Sequence, residues 1–79
     1  MHRATAETEV RLELCLEGAG RAEVNSGLPL FDHLLRSMAF HGLLDLTLQA
    51  QGDLPHHLVE DVGLALGQAV REALGPGEG

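Results

Sequence analysis

LLDLTLQAQGDLPHHLVEDVGLALGQAVREALG, residues 43–75, changes its hydrophobic period part-way along. Apolar and polar side chains alternate over 43–51, which is typical of a strand with one buried face. The turn GDLP follows at 52–55, and over 56–74 apolar residues recur every three or four positions, which predicts a long amphipathic helix. The predicted apolar stripe of this helix consists of Val59, Val62, Leu66, Ala69, Val70 and Leu74. A strand followed by a helix that covers it is therefore one unit of the fold.

Two further strands are predicted upstream. EVRLELCLE (9–17) alternates in the same way and indicates a half-buried strand. EGAG (17–20) is a turn, and RAEVNS (21–26) predicts a second strand that pairs with the first as a hairpin.

A second helix is predicted between these strands and the strand at 43–51. Pro29 suits a first helical turn and Gly42 suits a C-cap, so we expect the helix over 30–41. Its apolar positions are Phe31, Leu34, Leu35 and Met38. Together the elements predict an α+β fold, a three- to four-stranded sheet with two helices packed on one face. We expect the other sheet face to be polar or paired with another chain.

The size of the chain limits what it can do alone. Its 79 residues make one domain over 1–79, with 75–79 as a flexible tail. Hydrophobic residues make up 44 %, enough for a core, but a domain this short is marginally stable. Association with other copies or a bound metal would be a natural support.

Charge excludes several classes of partner. The formal net charge of −7 disfavours nucleic acid and anionic membrane as partners. No apolar run is long enough to span a bilayer, and the N-terminus has no signal-peptide pattern. The single Cys15 has no second cysteine to pair with, which fits a reducing compartment. We therefore expect a cytoplasmic protein.

LPHHLVEDVG (54–63) carries the most chemistry. His56 and Glu60 are four residues apart on the predicted helix, so both can face one metal ion. His57 lies roughly 100° further round the helix, so the two histidines point to two different metals. His33 and His41 on the first helix are candidates for the missing ligands. Imidazole and carboxylate ligands suit Mn²⁺, Fe²⁺, Zn²⁺ or Ni²⁺.

Structural explanations compete with the metal hypothesis. A lone histidine is more often a satisfied surface residue than a ligand. Asp53 or the histidines might cap the long helix, with Glu60 and Asp61 stabilised by its macrodipole. Capping explains the carboxylates but not both histidines.

Several stretches in order resemble the imidazoleglycerol-phosphate dehydratase family, the manganese-dependent hydro-lyases of histidine biosynthesis. The matching stretches are RATAET (3–8), GLPLFDHLL (27–35), His41-Gly42, QGDL (51–54) and HHLVEDVGLALGQAVREALG (56–75). The family chain has two similar halves, and this sequence resembles only the first. The short spacing between GDL and HH is more like the second half. The resemblance leaves open a stand-alone half, a fragment and an ancestor-like unit.

The resemblance also implies roles for individual residues. His33 and His57 would bind one Mn²⁺, and His56 and Glu60 another, with each site completed by a neighbouring subunit. Copies of this chain would then form a symmetric, metal-linked homo-oligomer.

The substrate implied by the resemblance is a small phosphate ester, imidazoleglycerol phosphate, which loses water to give imidazoleacetol phosphate. Glu7 and His41 match positions that contact the substrate, and Glu60, Glu7 and His41 are candidates for the proton transfers. Arg21 loosely matches an arginine of the second half. The second half has a lysine where this chain has Leu64, so a metal-binding half without catalysis is the alternative, and an unrelated metal-binding scaffold is a third.

Overall fold

The computed structural model describes residues 1–5 and 7–75 and shows a four-stranded sheet with two helices. The elements are β1 (His2–Ala4), β2 (Thr8–Cys15), β3 (Ala22–Asn25), α1 (Pro29–Gly42), β4 (Asp45–Gly52) and α2 (Pro55–Leu74). The strand order is β1-β2-β4-β3; β4 runs antiparallel to β2 and parallel to β3. The predicted α+β class is confirmed. Of the predicted tail, residues 76–79 lie outside the described residues.

The core lies between one face of the sheet and the helices. Alternate residues of β2 and β4 are buried, so both helices cover the same sheet face and the other face is polar. The sheet contributes Val10, Leu12, Val24, Leu46 and Leu48 to the core, and the helices contribute Leu35, Ala39, Leu58, Val62, Ala65 and Ala69. The period-two pattern of the sequence therefore assigned the buried faces of β2 and β4 correctly.

The predicted hairpin between β2 and β3 is wrong. The chain leaves β2, crosses the end of β4 and returns as β3 on the far side of β4. Asp45 holds this crossing, since its carboxylate accepts hydrogen bonds from the backbone N–H groups of Ala19 (2.9 Å) and Arg21 (3.1 Å). Gly18 is needed there because a Cβ at this position would lie 2.5 Å from Asp45 atoms. Helix α1 then makes the crossover that the parallel pair requires.

The apolar stripes of both helices are rotated from those predicted. On α2, Val59 is 39 % exposed and Leu74 is 72 % exposed, and the buried stripe runs through Leu58, Val62, Ala65 and Ala69. On α1, Leu34 is 57 % exposed whereas Ala39 is completely buried. Small alanines let each helix approach the sheet closely, so the larger apolar residues are left on the outward side.

The helix ends follow from local sequence. Pro29 and Pro55 each occupy the first helical turn, where a missing N–H costs nothing. The predicted C-cap at Gly42 is displaced by one residue: Leu43 adopts the left-handed conformation (φ 54°) that ends α1. Within the described residues, neither helix is long and apolar enough to cross a membrane.

Candidate metal and active site

Both helices begin at the same end of the molecule. Strands β3 and β4 are parallel, so the loops that follow them lead into α1 and α2 side by side. We call this the donor end and define it by Ser26–Pro29 and Gly52–Pro55. The two loops line a depression of about 550 Å³. The opposite end, where α1 stops and β4 starts, is roughly 25 Å away, the length of an eight-residue strand.

Three of the predicted metal ligands lie on the first two turns of α2, at the donor end. His56 and Glu60 are exposed and lie on the side of α2 turned away from the buried stripe. His57 is half-buried on the flank of the helix, and its ring centroid is 4.3 Å from that of His56. Their positions around the helix differ by about 100°, as predicted from helix geometry, but within one chain the two rings lie close together.

Asp53 contacts His57 rather than capping α2. Its carboxylate Oδ1 lies 3.4 Å from Nδ1 of His57. The N-cap residue is Leu54, with no side-chain cap hydrogen bond, so the capping explanation for Asp53 is wrong. A carboxylate on Nδ1 leaves Nε2 of His57 for a metal and orients the ring, as outer partners of metal-bound histidines do.

The position of His33 depends on its neighbour Asp32. Asp32 is buried, and its carboxylate accepts hydrogen bonds from the Ser26 backbone N–H (3.0 Å) and from the Ser26 hydroxyl (2.6 Å). The first turn of α1 also favours a negative charge. Asp32 therefore ties α1 to the end of β3, and His33 is left exposed one residue later.

Glu7 also lies at the donor end. It is exposed and, together with Glu9 and Gln51, lines a shallow depression of about 380 Å³. A hydrogen bond of 2.8 Å from His2 holds the pKa of Glu9 below its ordinary value, so Glu9 is a poor proton donor. Glu7 remains the predicted proton-transfer residue at this depression.

His41 and Arg21 lie at the opposite end. His41 is in the last turn of α1, with its ring 5.3 Å from that of Phe40. Arg21 precedes β3, and its backbone N–H donates to Asp45. The hydrogen bonds from Ala19 and Arg21 hold the pKa of the Asp45 carboxyl below its ordinary value. One chain therefore does not bring His41 and Arg21 together with the residues of the donor end.

The donor set fits a divalent transition metal in chemical type, because imidazole nitrogens and a carboxylate suit such ions. Within residues 1–5 and 7–75, no three His, Cys, Asp or Glu side chains are close enough to hold one ion. Cys15 is exposed on β2, away from the donor end. Within the described residues, one chain presents the predicted ligands at its surface but brings no three of them together.

Comparison with known proteins identifies the family. The family model of imidazoleglycerol-phosphate dehydratase matches residues 26–79. The chain belongs to the imidazoleglycerol-phosphate dehydratase family. The unrelated scaffold is thereby excluded.

Individual members of the imidazoleglycerol-phosphate dehydratase family agree with this assignment. The chain is 56 % identical to the dehydratase of Methanopyrus kandleri over 98 % of its own length. It is 54 % identical to that of Moorella thermoacetica over its whole length. The crystal structure of the Pyrococcus furiosus enzyme in complex with (S)-C348 matches 91 % of the chain with a TM-score of 0.80 at 38 % identity. The chain spans 40 % and 42 % of the two curated relatives and 39 % of the crystallised chain.

Asp32, Asp53 and Asp61 are the residues that sequence analysis did not place around the candidate site. Each lies next to, or four residues from, a predicted metal ligand. Spacing alone offered a signal only for Asp53 and Asp61, which are each four residues from His57; Asp61 also shares its side of α2, and Asp53 precedes the helix.

Proposed function

We propose that this chain is a half-unit of an imidazoleglycerol-phosphate dehydratase that assembles as a symmetric homo-oligomer with Mn²⁺ sites shared between copies. The observation that carries the proposal is the open donor end. His56, His57 and Glu60 lie together on α2, yet no complete ligand set forms in the described part of one chain. A second copy is the simplest source of the missing ligands.

Each shared site would take His33 and His57 from one copy and His56 and Glu60 from another. When bound there, Mn²⁺ supplies a Lewis acid for the charge that develops on the imidazole ring of the substrate. The offset of about 100° between adjacent helical positions supports assigning His56 and His57 to different ions.

The remaining residues would handle the proton transfers and the phosphate. Loss of water from imidazoleglycerol phosphate requires a proton to leave carbon and another to reach the departing hydroxyl. Glu60 and Glu7 lie at the donor end and are the candidates within one copy. His41 and Arg21 lie at the opposite end, so a neighbouring copy would bring them to the substrate, Arg21 as a ligand for its phosphate.

A catalytically weak metal-binding half is the second candidate. Leu64 is 58 % exposed on α2, where the resemblance to the family's second half would place a lysine. A site with few cationic phosphate ligands binds a phosphate ester weakly, because charge-assisted hydrogen bonds are the strong ones. This candidate predicts metal-dependent assembly without turnover. An assay of dehydration by the Mn²⁺-loaded assembly separates the two, and a gain on Leu64→Lys would assign the defect to the missing lysine.

Native mass spectrometry with Mn²⁺ and after chelation tests the shared sites. We expect a symmetric assembly with about one Mn²⁺ per chain. Each chain contributes two ligands to each of two shared sites, and each site takes four ligands in total. Chelation should release smaller species. A metal-free monomer under both conditions would contradict the proposal.

Complementation between two variants tests the sharing itself. His33→Ala with His57→Ala removes one ligand pair, and His56→Ala with Glu60→Ala removes the other. Neither double variant should hold Mn²⁺ alone, whereas a refolded mixture should recover part of the metal, because some interfaces then combine the two intact pairs. Gln68→Ala, an exposed change on the same helix, is the control and should keep its metal. A mixture as empty as its components would contradict sharing between copies.

A further inference from the structure

Asp61 makes the closest polar contacts between α2 and the β1–β2 turn. It lies in the second turn of α2, and its side chain is only 14 % exposed. Its carboxylate accepts a hydrogen bond from the Thr8 hydroxyl and lies 3.5 Å from Nε of Arg3. Its neighbour Glu60 is exposed and lies further round the helix, so Glu60 faces solvent whereas Asp61 contacts Thr8 and Arg3.

The carboxylate determines the direction of a chain of hydrogen bonds. An ionised carboxylate only accepts, so the Thr8 hydroxyl must donate to Asp61. The Thr5 hydroxyl, 3.0 Å from that of Thr8, must then donate to Thr8. The lone pairs of the Thr5 oxygen are left to accept the backbone N–H groups of Glu7 (3.2 Å) and Thr8 (3.1 Å). The network that starts at Asp61 therefore ends on the peptide of Glu7.

The backbone of Glu7 is also hydrogen-bonded through its carbonyl group. Its carbonyl oxygen accepts a hydrogen bond of 3.0 Å from the backbone N–H of Asp53, at the entry to α2. Asp53 and Asp61 lie eight residues apart on either side of His57, so the turn that carries Glu7 is attached to α2 both before and after that histidine. Glu7 itself remains exposed, and only its backbone is fixed.

We propose that Asp61 is a positioning residue: through Thr8 and Thr5, its carboxylate fixes the Glu7 peptide against the part of α2 that carries the predicted metal ligands. The functional meaning rests on the proposed function, since it makes Glu7 and the α2 ligands parts of one site. The mechanical part rests on the hydrogen-bond network alone. Its benefit would be a fixed distance between a proton-transfer group and the substrate.

Hydrogen exchange of individual backbone amides, measured both with Mn²⁺ and after chelation, tests the positioning. We expect Asp61→Asn to accelerate exchange of the Glu7 amide by up to about tenfold, because a weaker neutral acceptor replaces the charged one. The amide of Leu48, in the centre of the sheet, reports global opening and should change much less. Equal acceleration of both amides, or none at Glu7, would overturn the inference.

Two variants of Thr8 keep the test valid should Asp61→Asn fail to fold. Thr8→Val retains the shape of the side chain but cannot donate to Asp61, so it should accelerate Glu7 exchange to a similar extent. Thr8→Ser restores the hydroxyl and should return exchange towards the original rate. Glu72→Gln removes an exposed carboxylate from the same helix and is the charge-matched control. Slow Glu7 exchange in Thr8→Val, or fast exchange in Thr8→Ser, would overturn the inference.

Metal content and kinetics separate this inference from the proposed function. Asp61→Asn should keep the Mn²⁺ stoichiometry of the unmodified protein, because Asp61 is not among the proposed ligands. In an active assembly the variant should lower kcat about tenfold or more with a smaller change in KM. A smaller folded fraction would also lower the apparent kcat at constant KM, so kcat is expressed per folded, Mn²⁺-loaded site. An unmodified protein that binds no Mn²⁺ would contradict the proposed function while the exchange result still decides the role of Asp61.

Discussion

The two sides of α2 differ in how far the rest of the chain covers their side chains. On the inward side, Leu58, Val62 and Ala65 are buried against the sheet, and no partner is needed to cover them. On the outward side, His56 and Glu60 are exposed metal-ligand types, and Leu64 is 58 % exposed beside them. The inward side accounts for folding, and the outward side carries predicted metal ligands.

This difference separates stability from function along a single helix. Substitutions inside should change the free energy of unfolding of the metal-free chain, and substitutions outside should change metal content and assembly. The hydrogen bond from Thr8 to Asp61 is partly buried, so its loss should lower the free energy of unfolding. Under the positioning role proposed above, its loss should also lower activity.

The largest expected effect is on the inward side. Leu58→Ala should lower the free energy of unfolding by roughly 2–5 kcal/mol, because it removes buried methyl groups and leaves a cavity. Leu64→Ala, the matched outward change, should alter it by less than about 0.5 kcal/mol. Urea denaturation of the chelated protein measures both. Similar losses in the two variants would mean that the outward side is also buried, in an assembly that survives chelation.

Close approach of α2 to the sheet predicts the next effect. Ala65 is completely buried, so Ala65→Leu should destabilise the chain by roughly 1–3 kcal/mol through overpacking. Ala73→Leu adds the same atoms at an exposed position of α2 and should be nearly neutral. Thermal unfolding of the two variants, followed by circular dichroism, checks the difference. A stable Ala65→Leu variant would show that the helix can move away from the sheet at little cost.

Acid should weaken the crossing that carries β3 past β4. The pKa of Asp45 is held below its ordinary value of 3.8 by the backbone N–H groups of Ala19 and Arg21. A lowered pKa in the folded state adds stability above pH 3.8 and loses it as the pH falls from there through the folded-state pKa. Asp45→Asn should therefore show a shallower loss of stability below that pH, measured by urea denaturation at several pH values. Glu23→Gln, an exposed change on β3, is the control and should keep the original slope.

The smallest effect on stability is expected on the outward side of α2. His56→Ala should change the free energy of unfolding of the chelated chain by less than about 0.5 kcal/mol, because the side chain is exposed. The same variant should lose bound Mn²⁺, measured by metal analysis of the purified protein, whereas Gln68→Ala should retain it. Strong destabilisation of the chelated His56→Ala chain would show that the two sides of the helix are not independent.

Local patterns predicted most of the elements but not how they meet. The period-two runs located β2 and β4 and their buried faces, and the prolines located both helix starts. Strand β1 was not assigned, because His2–Ala4 is too short for a periodic signal. The hairpin prediction failed because short turns usually join neighbouring strands, and here hydrogen bonds from the backbone N–H groups of Ala19 and Arg21 to Asp45 hold the turn across the end of β4.

The candidate site was predicted as a set of residue types and remains a prediction as a metal centre. Helix geometry placed His56 and His57 about 100° apart around α2, whereas in the structure their rings lie 4.3 Å apart. Residue spacing along the sequence could not predict contacts between distant segments. The hydrogen bond from Thr8 to Asp61 joins residues 53 positions apart. The hydrogen bond from the Asp53 backbone N–H to the Glu7 carbonyl joins the residue after β4 to the residue before β2.

By itself, the sequence determined the types of all elements except β1, the buried faces of β2 and β4 and the donor types on α2. These properties follow from period, composition and spacing, which are local. The family was indicated separately, by the resemblance of several stretches in order. The tertiary structure alone decided the place of β3, the side of each helix that meets the sheet and the separation of Glu7 from His41. Each of these depends on which distant groups fit together, since close packing rewards small residues at contacts and buried polar groups require specific partners.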